Sequence, residues 1–367
     1  MSKSAKIGKK SGVVPGKKLR VACIGAGSIA AAHLTEYAKM KDVEIVGLAD
    51  PMPETMHQKA KNFNVPLENC FTDYNEMLKK LAPDAVSVCS PNYAHAPNTI
   101  AALRAGAHVI VEKPMAMNAA EGQKMIDAAR KHGRKLVIGF QWRFDGRSAF
   151  LRQAADDGVF GKVLYAKVQA LRRRGIPNWG VFGRKELQGG GPMIDIGVHS
   201  LEMCHYVMGS PQPVAAFGNC FTYLGNKASD VKCAWPNWDW KTYNVEDLAV
   251  GMIRFANGAM LHIEASFAAH IEKDVFNFSI HGEKGGCQFE PIMLFTDAHK
   301  SMLNMTPSFT GNSDWGGVWV GKMRNFVEHC LYDAPSIAPA EHGLMAQKML
   351  DGIYASASKG GREVAIK

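Results

Sequence analysis

Three absences narrow what this sequence is. None of its eight cysteines (Cys23, Cys70, Cys89, Cys204, Cys220, Cys233, Cys287 and Cys330) stands in a C-x-x-C pair. That argues against a zinc site or a disulfide framework. Cys23 in VACIG and Cys89 in AVSVCS read instead as small core residues of a reducing compartment. No apolar run approaches the ~20 residues needed to span a bilayer, and residues 1–20 lack the apolar core of a secretory signal. A cytoplasmic protein without a membrane partner is expected. Finally, no acidic residue precedes Glu36. Lys3, Lys6, Lys9, Lys10, Lys17, Lys18 and Arg20 therefore supply seven of the nine net positive charges. Residues 1–18 are expected to form a basic flexible leader, solvated rather than bound to nucleic acid.

What is present is a change of pattern along the 367 residues, a length that suits two domains. The first part alternates short apolar runs (LRVACIG, VEIVGLAD, AVSVCS, HVIVEK, KLVIGF) with amphipathic stretches beginning at Ser28, Pro53, Asp73, His95 and Asn118. Strands buried on both faces and separated by helices specify a doubly wound parallel sheet with right-handed crossovers, a Rossmann domain over residues 19–143. From about residue 160 the runs KVLYAKVQA, PVAAFGNCFTYL, EDLAVGMIRF, GAMLHIEASFA and DVFNFSIHG follow one another through turns such as Ala256-Asn257-Gly258. This predicts a second α/β domain over residues 144–367, built on a large open, mostly antiparallel sheet. Residues 341–358, with Leu344, Met345, Met349, Leu350 and Ile353 at helical spacing, are expected to form a helix that packs back on the first domain.

The first strand runs into Gly25-Ala26-Gly27-Ser28-Ile29-Ala30 and then a helix. Gly25 suits the tight turn, Gly27 lets backbone approach a pyrophosphate, and the helix N-terminus at Ser28 and Ile29 offers free N–H groups to the phosphates. Asp50 ends the second strand, where a carboxylate accepts from ribose hydroxyls and repels a 2′-phosphate, so NAD is expected rather than NADP.

Five blocks in order carry a resemblance to the Gfo/Idh/MocA oxidoreductases: Gly25 to Ala30; Ser90-Pro91-Asn92-Tyr93-Ala94-His95; Glu112-Lys113-Pro114; Trp142-Arg143-Phe144; and Gly189-Gly190-Gly191 followed by Asp195-Ile196-Gly197-Val198-His199. The resemblance implies NAD as cofactor, and the second sheet as a contact surface for a homodimer or homotetramer. It places Ser90, Pro91, Asn92 and His95 beside the cofactor and Glu112 on the nicotinamide ribose. Gln141 stands where many relatives carry asparagine near that ribose, and Arg143 is counted with the substrate-binding residues.

Hydride transfer from an alcohol carbon also requires a base for the hydroxyl proton. Lys113 suits that role if partly buried near other cations, and the resemblance assigns it. Asp195 and His199 are four apart in a segment that reads as one helix, so both project from nearly the same face and form a second proton-handling pair. No metal site is expected: His199 and His205 lie about 240° apart on that helix. In Leu171-Arg172-Arg173-Arg174-Gly175-Ile176-Pro177-Asn178-Trp179, Arg173 and Arg174 are expected to donate to ring hydroxyls or an anionic substituent, with Trp179 stacking on a pyranose. Trp235, Trp238 and Trp240 are further stacking candidates. The reading is an NAD-dependent dehydrogenase acting on a pyranoside, anhydrosugar or cyclitol ring, and the resemblance of the Arg172 to Trp179 stretch to that of glycoside dehydrogenases implies C3 as the position. Two alternatives are a glycoside hydrolase that oxidises and re-reduces its substrate and a non-catalytic sensor. The retention of Lys113, Asp195 and His199 together argues against the sensor.

Overall fold

The computed structural model describes residues 18–311 and 313–367. The basic leader lies outside the described residues except for Lys18. Six parallel strands, β1 (Leu19–Ile24), β2 (Val43–Ala49), β3 (Cys70–Phe71), β4 (Ala85–Val88), β5 (His108–Val111) and β6 (Leu136–Ile138), are ordered β3-β2-β1-β4-β5-β6. Every residue of β4 and of β6 is buried, as continuous apolar runs covered on both faces require. The connecting helices are α1 (Ser28–Ala38), α2 (Pro53–Asn62), α3 (Tyr74–Leu81), α4 (Asn92–Arg104) and α5 (Ala119–His132). Asp73 and Asn118 cap α3 and α5, accepting from the amides of Asn75 and Glu121. The α4 helix begins three residues earlier than expected, so His95 lies within its first turn rather than at its start.

After α6 (Gly146–Asp156) the second sheet begins. Its strands are β7 (Val163–Leu171), β8 (Pro213–Phe221), β9 (Leu248–Phe255), β10 (Met260–Ser266), β11 (Val275–Gly282), β12 (Gly285–Gln288), β13 (Met293–Ala298), β14 (Ser301–Met305) and β15 (Val364–Ala365). They are ordered β14-β13-β12-β11-β7-β10-β9-β8-β15, and only β10 and β7 run parallel. In β10 the core takes Leu261, Ile263 and Ala265 while His262 and Glu264 face outward, the alternation of a sheet covered on one side. The covering helices are α8 (Val198–Val207), preceded by the short α7 (Lys185–Gln188), and α10 (Ala340–Ala357).

Two helices of the second half also cover the first. The α10 helix packs on α5, and Asp351 on it accepts from the Ala119 amide at 2.6 Å. The α9 helix (Trp315–Tyr332), not foreseen from the sequence, packs on α1, with Arg324 bonded to Asp42. One apolar core therefore runs from Val21 and Ile110 through Leu201 to Ile263 and Ile353.

Histidines lie in and beside this core, His205 buried and His108 and His342 half-buried. Burial, followed by neighbouring cations, pushes His108, His205 and His342 each down to about 4. An unfolded chain protonates these rings near the ordinary value, while the fold refuses the proton until about 4. Between those limits the unfolded state binds more protons, so stability falls as pH falls. The midpoint of thermal unfolding is therefore expected to drop between about pH 7 and about pH 5. A midpoint unchanged over that range in a calorimetric scan contradicts this.

Candidate active site

The loops that leave β1, β2, β4, β5 and β6 gather at one edge of the parallel sheet, the C-terminal ends where such sheets bind ligands. Gly25 has φ +92°, and a Cβ there would lie 2.7 Å from the Cys89 carbonyl carbon, so no other residue fits the turn. A Cβ on Gly27 would meet nothing within 4 Å, and Gly27, Ser28 and Ile29 are exposed. The α1 N-terminus has no side-chain cap. Its first amides and an open approach together form a cradle for a pyrophosphate. Asp50 accepts from the Ala26 amide at 2.6 Å and from Met52 at 2.8 Å. The carboxylate thereby ties the β2 end to the glycine turn.

After β4, Ser90 and Pro91 lead into α4. Asn98 donates to the Ser90 hydroxyl at 3.0 Å, and Asn92 donates to the Gln188 carbonyl at 2.9 Å. His95 is buried, with Nδ1 2.7 Å from Pro114 O and Nε2 2.8 Å from Ser90 O. Burial lowers its pKa and favours a neutral ring, which donates to one of these carbonyls and bridges the ends of β4 and β5. These contacts make Asn92 and His95 supports of the loop rather than free donors. Gln141 is buried and its Oε1 has no hydrogen-bond partner, an orphan of the kind a bound ligand satisfies.

Glu112, expected on the nicotinamide ribose, has one carboxylate oxygen engaged within the protein. Its Oε1 accepts from Lys322 at 2.6 Å and lies 2.9 Å from His33 Nε2. His33 Nδ1 lies 3.1 Å from Ser87 Oγ, which is 2.8 Å from the Tyr37 hydroxyl. Burial opposes the Glu112 charge, but Lys322 and His33 outweigh it and hold the carboxyl well below the usual range. Lys322 is itself buried and lies on α9, far from every motif read in the sequence.

Lys113, the next residue in the loop after β5, has a different partner. Its Nζ donates to Asp195 Oδ1 and to Asp195 O, each at 2.9 Å. The expected single α-helix is corrected here: Met193–Gly197 is a π-helix that runs into α8. The wider turn alters the side-chain directions on which the Asp195–His199 pairing rested, and helices of this kind cluster at functional sites. The Asp195 carboxylate accordingly partners Lys113, while His199 Nδ1 is buried without any hydrogen-bond partner. Burial and then the Lys113 cation push the His199 pKa well below its ordinary value, so the ring is neutral at neutral pH. Glu246, missed in the sequence, sets this segment. It accepts from the amides of Gly191 (2.9 Å) and Met193 (3.2 Å) and from the Tyr354 hydroxyl (2.8 Å). A Cβ on Gly191 would sit 2.0 Å from Glu246 O, which explains the glycine.

The arginines sort differently from expectation. Arg143 is not at the site: it is 1% exposed, its Nε donates to Glu202 at 2.7 Å, and its Nη1 donates to Ile337 O and lies 2.8 Å from His342 Nδ1. It joins α8 to the segment before α10. Arg172, passed over in the sequence, is the one whose guanidinium lies in the field of Asp195 and His199. Burial lowers its pKa and Asp195 opposes that, while its guanidinium lies over Trp235 at 4.9 Å. Arg173 is exposed and donates to Glu272 O, and Arg174 lines a neighbouring pocket. Trp179 is half-exposed and packs edge-on against Trp235 at 4.7 Å, whereas Trp238 is buried with its Nε1 on Gly225 O and offers no stacking face. Trp240 is exposed, with Lys241 over its ring.

The open Gly27 cradle, the uncapped α1 terminus and the orphaned Gln141 oxygen fit a bound dinucleotide. A family model described as an oxidoreductase family with an NAD-binding Rossmann fold matches residues 19–140, and its C-terminal alpha/beta domain matches residues 152–366. The sequence is 37% identical over 350 residues to a D-glucoside 3-dehydrogenase of Escherichia coli, covering 94% of this chain and 97% of that protein. It is 29% identical to a levoglucosan dehydrogenase of Pseudarthrobacter phenanthrenivorans, over 74% of each chain. The fold is that of a levoglucosan dehydrogenase solved with NADH, at a TM-score of 0.83 and 24% identity, over 96% of this chain and 100% of the other. Among the described residues no helix is long and apolar enough to cross a membrane.

Proposed function

The chain belongs to the Gfo/Idh/MocA family of NAD-binding oxidoreductases, and on that premise we propose that it oxidises the C3 hydroxyl of a pyranoside, a related anhydrosugar or a cyclitol. The observation that carries the proposal is the bond between Lys113 and Asp195 just beyond β5, on the sheet edge where the cofactor cradle opens. The activities of two relatives support it: a D-glucoside 3-dehydrogenase and a levoglucosan dehydrogenase agree with the substrate class, and the first with the position.

NAD supplies the acceptor for the hydride that leaves the carbinol carbon, so the protein has only the hydroxyl proton to manage. Lys113 in its amine form takes that proton, and Asp195 stabilises the ammonium that results and holds it in place. The neutral His199 ring presents its unpartnered Nδ1 to the same hydroxyl. Arg172 donates to a neighbouring hydroxyl from its seat on Trp235, and Trp179 offers a face to the pyranose.

A panel of pyranosides, anhydrosugars and cyclitols, followed through NADH formation, tests the class. Activity confined to acyclic or aromatic alcohols overturns it. Within the panel, Trp179→Ala is expected to raise the KM for sugar by about tenfold, the loss of about 1.4 kcal/mol of contact, with the KM for NAD little changed. Equal effects on both constants would make Trp179 a structural residue. Asp50 is expected to favour NAD over NADP by about tenfold or more through repulsion of the 2′-phosphate. Turnover with NADP as good as with NAD removes that role.

A further inference from the structure

Past the end of β7 lies a pocket of about 690 Å³ bordered by Arg173, Arg174, Lys232, His270, Glu272 and Asp274. It is large enough for a drug-sized group. Arg172, Arg173 and Arg174 leave the end of β7 in succession and divide between two sites. Arg172 lies over Trp235 within the electrostatic reach of Asp195, while Arg174 forms a β-bridge with Ala268 and lines this pocket. Trp235 follows directly on the 231–234 segment, which also lines it. The Arg172 to Arg174 run thus links the Lys113–Asp195 pair to this pocket.

One acid of the pocket is already engaged: Asp274 Oδ1 accepts from the Arg173 amide at 2.7 Å. Arg173 is engaged too, its Nη1 donating to the Glu272 backbone carbonyl at 2.8 Å. Arg174 is different: its Nη1 is shut off from solvent and has no hydrogen-bond partner. A desolvated donor on a charged group is costly to leave unmet, and buried polar atoms in folded proteins are almost always paired. The guanidinium fork matches a carboxylate or a phosphate, and Lys232 lies in the same lining. We propose that this pocket binds a carboxylate or phosphate carried on the aglycone of the substrate, so that the enzyme selects anionic glycosides over neutral ones. The inference rests on the glycoside-oxidising reading above and narrows it.

The experiment compares 4-nitrophenyl glucoside with its near-isosteres, 4-carboxyphenyl glucoside and the phenyl glucoside bearing a 4-phosphate. The expected result is a kcat/KM higher by about tenfold or more for an anionic member, with the better anion identifying which group the pocket takes. Arg174→Gln should bring that ratio below about twofold. Lys232→Gln, on a surface segment, should reduce it in the same sense should the Arg174 variant fail to fold. A ratio near one in the native enzyme, or an equal loss for neutral and anionic glucosides in Arg174→Gln, overturns the proposal. Quenching of tryptophan fluorescence by the three glucosides gives the same comparison without turnover. Tighter binding of the anionic glucosides with no oxidation would sustain the pocket and sink the catalytic reading, whereas oxidation without anion preference would do the reverse.

Discussion

Lys113→Met is expected to lower turnover by about 10²- to 10⁴-fold, the usual cost of removing a positioned proton acceptor. Affinity for NAD should stay within about threefold, less than 1 kcal/mol, because the cradle is built from the Gly25 turn and α1. The case rests on where the Lys113 amine stands. It is partly buried and bonded twice to Asp195, once through the carboxylate and once through the backbone carbonyl. Asp195→Ala should also impair turnover, and combining it with Lys113→Met should cost less than the sum, since an orienting group has nothing left to orient. Steady-state rates and equilibrium binding of NAD separate these effects. More than a tenth of the native rate in Lys113→Met would make the lysine structural.

The second large effect is on stability. Lys322→Met should destabilise the protein by about 3–5 kcal/mol, because it leaves Glu112 charged and buried without its strongest partner. Lys322 and Glu112 are 210 residues apart, and their bond joins α9 of the second half to β5 of the first. His33, whose pKa is raised, keeps its bond to Glu112 but is shared with Ser87, so it replaces Lys322 only in part. The double variant Glu112→Gln/Lys322→Met should regain much of the loss, since no charge is then left stranded. Denaturant titration measures both. A single variant as stable as the native protein, or a double variant less stable than the single, would show that the pair does not act as a buried ion pair.

What the sequence revealed was what depends on neighbours in the chain. The Gly25 turn, the acid at the end of β2 and the alternation of β10 are each read within a few residues, because backbone geometry and one covered face dictate them. What it hid was set by distant contacts. Three arginines in a row are chemically alike, and only the end of β7 decides that Arg172 lies over Trp235 while Arg173 faces solvent. Arg143 sits in a motif that resembles others at the cofactor edge, yet Glu202 and the carbonyl of Ile337 draw it into the core. The π-helix at Met193–Gly197 has no mark in its residue types. Its cause lies in Glu246, which seizes the amides of Gly191 and Met193 from a strand-end loop more than fifty positions away. Lys322 was invisible for the same reason: a lone lysine in an amphipathic helix reads as a surface residue until α1 is laid against it.

The central claim is that hydride leaves C3 of a sugar ring and remains on the cofactor. Glucosides carrying deuterium at C3, and separately at C2 and C4, test it directly when the reduced cofactor is analysed by mass spectrometry. The account predicts one reduced cofactor per keto-glycoside formed, carrying deuterium only from the C3-labelled substrate, with turnover slowed by that label if hydride transfer limits the rate. Deuterium arriving from C2 or C4 would contradict the position. Cleavage of the glycoside with no net reduced cofactor would contradict the reaction itself.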